Sequence, residues 1–320
     1  MNTLASPPPI LCLTMNPSVD VATHTEQVLP THKLRCATAQ RDPGGGGLNV
    51  ARVIQRLGGV CSALLPAGGP SGQWLAHRLA QEGLQAVCIP IAQETRESFT
   101  VQALDTGAEY RFVMPGPYLD ESEWQACLDR IAQLPQRPGV LVASGSLPPG
   151  VPVDFYARLA RWCQTVGTRL VLDTSGEPLA AALAQGVYLV KPNLHELAGL
   201  CGHALDTPGA WREAARAWID RGQAEVVALT LGERGAELFT RARSWSAAPL
   251  PIEVSSSVGA GDSFVAALVW SLARQESLEK AFAWAMAAGS AALITPGTGL
   301  CLAGDVQRLQ QQVRVVAIPH

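Results

Sequence analysis

Between residues 140 and 235 the sequence repeats one pattern: a short apolar run, a polar or glycine-rich turn, then a helix-forming stretch. The runs 140–143, 169–172, 187–190 and 226–230 end in turns that begin at Ser144, Asp173, Lys191 and Leu231. Helices are predicted over 153–166 and 210–221, with another after Gly176. Strands that alternate with helices form a parallel sheet covered on both faces, with the strand carboxyl ends along one edge. Ligands of open α/β sheets bind at that edge. Ser144, Lys191, Asn193, Glu196, Gly232 and Gly235 fall in these turns, and Thr230 closes the last run just before its turn.

Ser257-Val258-Gly259-Ala260-Gly261-Asp262-Ser263-Phe264 opens a second kind of signal, because two glycines bracket Ala260 just before an apolar run. Backbone amides at a helix start lack partners and attract anions. A carboxylate beside a bound phosphate repels it, so Asp262 there suggests phosphoryl transfer, with Asp262 as base and the Gly259, Ala260 and Gly261 amides as anion hole. An aspartate N-cap after a glycine-rich turn is the competing explanation. The helix after Asp262 and the stretch 281–293 are apolar nearly all round and should be buried.

The first apolar run, 10–14, suits a buried strand, and the following loop carries Asp20 at its carboxyl end. Lys33 and Arg35 lie on a strand-like stretch, 32–38, where alternate positions share a face. They could hold a phosphate or guard an edge strand. Gly44, Gly45, Gly46 and Gly47 precede Asn49 and a helix with Val50, Val53, Ile54 and Leu57 on one face. Ordering four glycines is entropically costly, which suits a ligand touching backbone, with Asn49 bonding sugar hydroxyls. Neither a Walker A loop nor a dinucleotide fingerprint is present.

Strand, helix (71–81) and strand are predicted from 60 to 90. The pattern then changes to a hairpin, 99–104 and 109–114, around Asp105-Thr106-Gly107. With segments near 20–40 and 95–115 it forms a small β subdomain inserted in the α/β body. Arg96 and Arg111 add two cations to Lys33 and Arg35, pointing to a phosphate-bearing substrate or to a solvated charged face. Asn193 and Glu196, three apart at a helix start, could orient Mg²⁺ directly or through water, or could form a capping box. Lys191 beside them could reach a nucleotide phosphate, and Asp173 could support the metal.

A net charge of −3 and pI of about 6.1 give no general attraction to nucleic acid or an anionic membrane. No apolar run reaches membrane-spanning length. Eight scattered cysteines without CxxC spacing read as small residues of a reducing cytoplasm. Residues 1–9, with three prolines, read as a disordered leader, and 10–320 as one domain. The six histidines form no evident cluster.

The motifs NPSVD, PGGGGLNVAR, YRFVMPG, SGSLPPG, VKPNLHEL, SVGAGDS and AAGSAA run in this order along the chain. Through them the chain resembles, from about Ile10 to Cys301, the ribokinase-like (PfkB-type) sugar kinases, and within these the minor-isozyme type of 6-phosphofructokinase. The resemblance implies a three-layer α/β/α body, a β-sheet lid, a homodimer formed through the lid, and transfer of the ATP γ-phosphate to the C1 hydroxyl of fructose 6-phosphate. It implies Asp262 as base, Gly259 to Gly261 as anion hole, and Asn193 and Glu196 around magnesium. Lys191, Thr230, Gly232, Gly235, Ser257 and Gly297 would meet the nucleotide. Asp20, Gly45, Gly46, Gly47, Asn49 and Ser144 would hold the sugar, and Lys33, Arg35, Arg96 and Arg111 its phosphate. Related 1-phosphofructokinases and tagatose-6-phosphate kinases typically carry a lysine in the glycine run, which this chain lacks. Thr295 stands where near relatives tend to have asparagine, bearing on a monovalent-cation (K⁺) site usual in the family. The alternatives are the same chemistry on tagatose 6-phosphate or fructose 1-phosphate, and a non-catalytic sugar-phosphate sensor, which would need neither base nor metal.

Overall fold

The computed structural model describes residues 9–297 and 299–319. Of the expected leader only Pro9 is among them, its carbonyl accepting from Gly139 and Val140 N–H. The rest of the leader, Thr298 of the 295–299 turn and His320 lie outside the described residues.

The strands are β1 Ile10–Leu13, β2 Ser18–Thr25, β3 Gln40–Gly44, β4 Cys61–Ala67, β5 Gln85–Pro90, β6 Arg96–Ala103, β7 Glu109–Phe112, β8 Val140–Ser144, β9 Arg169–Asp173, β10 Val187–Val190, β11 Ala224–Thr230, β12 Ala236–Thr240, β13 Ser244–Ala247 and β14 Val315–Ile318. The helices are α1 Gly46–Arg56, α2 Gly69–Gln81, α3 Glu121–Ala132, α4 Phe155–Val166, α5 Gly176–Leu183, α6 Leu194–Cys201, α7 Pro208–Asp220, α8 Ala260–Ala273, α9 Leu278–Leu293 and α10 Ala303–Gln310.

One sheet runs β14-β13-β12-β11-β10-β9-β8-β1-β4-β5. It is parallel from β5 to β11, and β12, β13 and β14 join antiparallel. Strand alternation sends Cys12, Val142 and Val171 to a core shared with α1, α2, α8, α9 and α10. It sends Leu13, Leu141 and Leu172 to a second core under α3 to α7. The result is the expected three-layer α/β/α body. The near-uniform apolarity of α8 and α9 is explained by mutual burial: Phe264 and Phe282 meet edge to face at 6.2 Å.

From β1 the chain steps outward to β4 and β5, then returns to β8 and proceeds the other way. The order of strands therefore reverses between β1 and β8, where a crevice opens at the carboxyl ends. The glycine run fills it: a Cβ on Gly46 would stand 2.1 Å from Ser144 Oγ, and one on Gly47 2.2 Å from Leu13 O. The helix expected after the run already begins inside it, at Gly46.

A second sheet, β3-β2-β6-β7, is the inserted lid. It includes the expected hairpin, with β2 parallel to β6. Two expectations for its first segment are corrected. Asp20 is not on a loop but within β2, because Pro17 ends the β1 exit and Ser18 to Ala22 pair with β3 and β6. Residues 32–38 form no strand. Thr23 and Thr25 hydroxyls bond Ala37 and Arg35 carbonyls, a local tie that leaves Lys33 and Arg35 exposed on irregular chain.

Candidate active site

Asp262 is the third residue of α8, and Gly259, in the left-handed region at φ 72°, is the N-cap. The capping explanation for the aspartate therefore fails, because Gly259 and not Asp262 occupies the N-cap position. The first helical bond is Ser263 N–H to Gly259 O, so the preceding first-turn amides have no partner within the helix. Asp262 Oδ2 accepts from Asn49 Nδ2 at 2.9 Å. Asn49, expected only to face a sugar, is thus also what aims the carboxylate.

Asp262 and Gly46 stand on a wall common to two cavities. The first, about 180 Å³, is enclosed by Asp20, Gly45, Asn49, Arg96 and Arg111 with Ser18, Thr100, Val258 and Gly259. The cross-strand pairs Ser18↔Arg96, Asp20↔Ser98 and Thr100↔Arg111 put these side chains on one face of the lid. Gly44 is needed beneath them, since a Cβ there would stand 2.2 Å from Asp20 Oδ2. Burial pushes the Asp20 carboxyl up, while the Ser18 hydroxyl at 2.6 Å, Arg96 and Arg111 oppose it. Arg96 is anchored from behind by Asn16 O at 2.9 Å and Met114 O at 2.5 Å.

The second cavity, about 260 Å³, is lined by Ser144, Asp173, Glu196 and Asp262 with the 144–146 and 173–175 turns. Burial pushes up the carboxyls of Asp173, Glu196 and Asp262. That of Asp262 reaches about 6, raised chiefly by burial and further by Asp173 and Asp20, with Asn49 and Lys191 holding it back. Lys191 is 5% exposed and its Nζ lies 3.1 Å from Asp173 Oδ1. Burial acts to lower its pKa, and Asp173, Glu196 and Asp262 outweigh that, keeping it protonated. Its amine also approaches the first turn of α8, 3.5 Å from where a Cβ on Gly261 would stand.

Asn193 and Glu196 do form the capping box, with both reciprocal bonds at 2.8 Å. The box leaves Glu196 on the lining of the second cavity. Among the described residues no group of three His, Cys, Asp or Glu side chains could hold a metal by itself. Three carboxylates against one lysine suit a divalent cation that arrives with a polyphosphate. Thr230 joins this wall through a bridge to Asn193. Gly232 and Gly235 bound the next turn at positive φ, and Ser257 is exposed. Gly297, at φ 64°, follows α9. Lys33 and Arg35 line neither cavity. Sequence reading missed Ser256, the buried one of three consecutive serines, since only tertiary packing distinguishes it.

Unpaired helix-start amides, with a carboxylate of raised pKa in the same turn, suit phosphoryl transfer from an anionic donor to an alcohol, on a ribokinase-like α/β fold. The chain belongs to the pfkB family of carbohydrate kinases, which matches residues 13–303. It is 46% identical over 301 residues to an ATP-dependent 6-phosphofructokinase isozyme 2 of Mycobacterium tuberculosis, covering 94% of this chain and 88% of that one. A 1-phosphofructokinase of Bacillus subtilis is 31% identical, with 97% and 100% covered. The crystal structure of Escherichia coli phosphofructokinase-2 in complex with fructose-6-phosphate superposes with TM-score 0.90 at 40% identity, covering 95% of this chain and 99% of that one.

Proposed function

We infer that this chain transfers the γ-phosphate of ATP to the C1 hydroxyl of fructose 6-phosphate, giving fructose 1,6-bisphosphate and ADP. The observation that carries this reading is the position of Asp262, on the wall shared by a cation-bearing cavity under the lid and a carboxylate-rich cavity beside the anion hole. Asp20 and Asn49 hold the sugar hydroxyls, and Arg96 and Arg111 its 6-phosphate. Lys33 and Arg35 enter as further cations of the same lid segment, solvent-facing here.

Asp262 takes the C1 hydroxyl proton as that oxygen bonds to the γ-phosphorus and the bond from phosphorus to the ADP oxygen breaks. With a pKa near 6 the carboxylate is mostly ionised at neutral pH yet basic enough to accept the proton. The first-turn amides of α8 and Lys191 meet the charge of the transferring group. Thr230, Gly232, Gly235, Ser257 and Gly297 would border the nucleotide. Asn193 and Glu196, with Asp173 near, would hold Mg²⁺ through its waters. When bound, that ion neutralises charge on the polyphosphate.

The glycine run favours this substrate over fructose 1-phosphate and tagatose 6-phosphate. A lysine at position 46 or 47 would begin with a Cβ overlapping Ser144 Oγ or Leu13 O. The 1-phosphofructokinase of B. subtilis is also the more distant relative. The E. coli enzyme has been solved in complex with potassium. In this chain the Thr295 hydroxyl is bonded to Ala291 O at 3.1 Å, which supports a weaker monovalent-cation dependence.

A homodimer through the lid is supported by its outer face, where Phe99 pairs with Phe112 and Val101 with Tyr110. Phe99, Tyr110 and Phe112 are 38%, 39% and 51% exposed, an apolar patch that a second lid would cover. E. coli phosphofructokinase-2 has a structure described as its tetrameric inhibited form.

Initial rates with MgATP on fructose 6-phosphate, tagatose 6-phosphate and fructose 1-phosphate test the reading. Fructose 6-phosphate should give the highest kcat/KM, and a higher value for fructose 1-phosphate would overturn it.

A further inference from the structure

The lid touches the body at one more point with a bearing on catalysis. The Ser256 hydroxyl donates to Glu109 Oε2 at 3.3 Å, between residues 147 apart in sequence. Ser256 Oγ in turn accepts the Val258 N–H at 3.2 Å. Ser256 is 5% exposed, whereas Ser255 and Ser257 on either side are exposed. Val258 immediately precedes Gly259, the left-handed N-cap from which the anion-hole turn starts. Glu109 opens β7 two residues before Arg111, so both side chains leave the same face of the lid. A hydroxyl can donate to one partner while accepting from another. Ser256 does both here, with the lid carboxylate as acceptor and the turn amide as donor.

We propose that Glu109 is a positioning residue for the anion hole, acting through Ser256 to set the Val258–Gly259 turn when the lid lies over the site. The sheet that carries Arg96 and Arg111 then also orders the amides on the nucleotide side. Sugar phosphate held under the lid favours the geometry that nucleotide requires, and linkage makes the effect reciprocal. This inference rests on the sugar-phosphate kinase reading.

The test compares Glu109→Ala, Ser256→Ala, their double variant and Glu109→Gln with the wild-type enzyme. Three quantities are measured: kcat and KM for both substrates, the Kd of a non-hydrolysable MgATP analogue with and without fructose 6-phosphate, and Tm. Each alanine variant should lose kcat by about five- to tenfold, the worth of one hydrogen bond. The double variant should lose no more than the worse single one. Glu109→Gln should recover most of the loss, because its amide oxygen still accepts from Ser256. Tightening of the analogue by fructose 6-phosphate should be present in the wild type and absent from all three alanine-bearing variants. Additive losses, an unaltered kcat and coupling in Glu109→Ala, or a glutamine as harmful as alanine would each overturn the proposal. If the wild type fails to turn over fructose 6-phosphate, the substrate reading is what has failed. The analogue Kd then decides the latch alone: looser binding that is non-additive between the two sites supports it, and an unchanged Kd in Glu109→Ala overturns it.

Discussion

The side-chain amide of Asn49 donates to Asp262 Oδ2 at 2.9 Å, joining the first turn of α1 to the first turn of α8 across 213 residues of sequence. The bond aims the carboxylate along the seam between the two cavities and offsets part of the cost of ionising it there. Both helix starts are glycine-rich for related reasons, close approach in one and a left-handed cap in the other.

Asp262→Asn should lower kcat by about 10²- to 10⁴-fold, as expected for loss of a general base. It should also raise Tm by about 2–4 °C at pH 8. The sign follows from the folded-state pKa of about 6 lying above the ordinary 3.8. The native fold binds that proton more tightly than the unfolded chain, so stability from this group is full below pH 3.8 and is lost as pH rises through about 6. The gain in Tm should shrink as pH falls from 8 to 4. Wild-type turnover in the variant would remove Asp262 from the mechanism.

The rate should carry an acid limb with an apparent pKa near 6, since only the ionised carboxylate accepts a proton. A sugar phosphate also titrates in this range. The residual rate of Asp262→Asn separates the two, because a limb with the same midpoint in both proteins would assign it to the substrate.

Glu196→Gln should raise the magnesium concentration for half-maximal rate while leaving Tm nearly unchanged. Glutamine at this helix position can still complete the capping box with Asn193, so the substitution removes charge without removing the cap. An unaltered magnesium titration would leave Glu196 with the cap alone.

Arg111→Ala should cost about ten- to a hundredfold in kcat/KM on fructose 6-phosphate, the worth of a charge-assisted hydrogen bond, and little on fructose. Arg96→Ala should reduce both, because Arg96 also holds the Asn16 and Met114 carbonyls and its loss frees the chain entering β2 and leaving β7. Equal losses on the two sugars with Arg111→Ala would show that this residue does not read the phosphate.

Gly46→Ala should destabilise the fold by about 1–3 kcal/mol and abolish most activity, since the new methyl overlaps Ser144 Oγ. Adding Ser144→Gly should recover stability ahead of activity. Normal turnover in Gly46→Ala alone would mean that the run is not closed over the crevice.

Much of this protein could be read from local sequence. The alternation of apolar runs with amphipathic stretches from 140 to 235 determines a parallel sheet, because a strand apolar on both faces must be covered twice. The turn at Gly259 to Asp262 marks a helix start with a left-handed cap, since glycine and a helix start are local properties. Long-range packing decided the rest. Residues 32–38 alternate like a strand but found no partner strand, and pairing cannot be read from one strand's sequence. The bond from Asn49 to Asp262, the raised pKa it moderates and the selection of Ser256 from three identical neighbours all depend on segments far apart in the chain. Burial and electrostatic coupling are set by what surrounds a group in space, so only the folded arrangement of β1, β8, α1, α8 and the lid could raise the pKa of this aspartate.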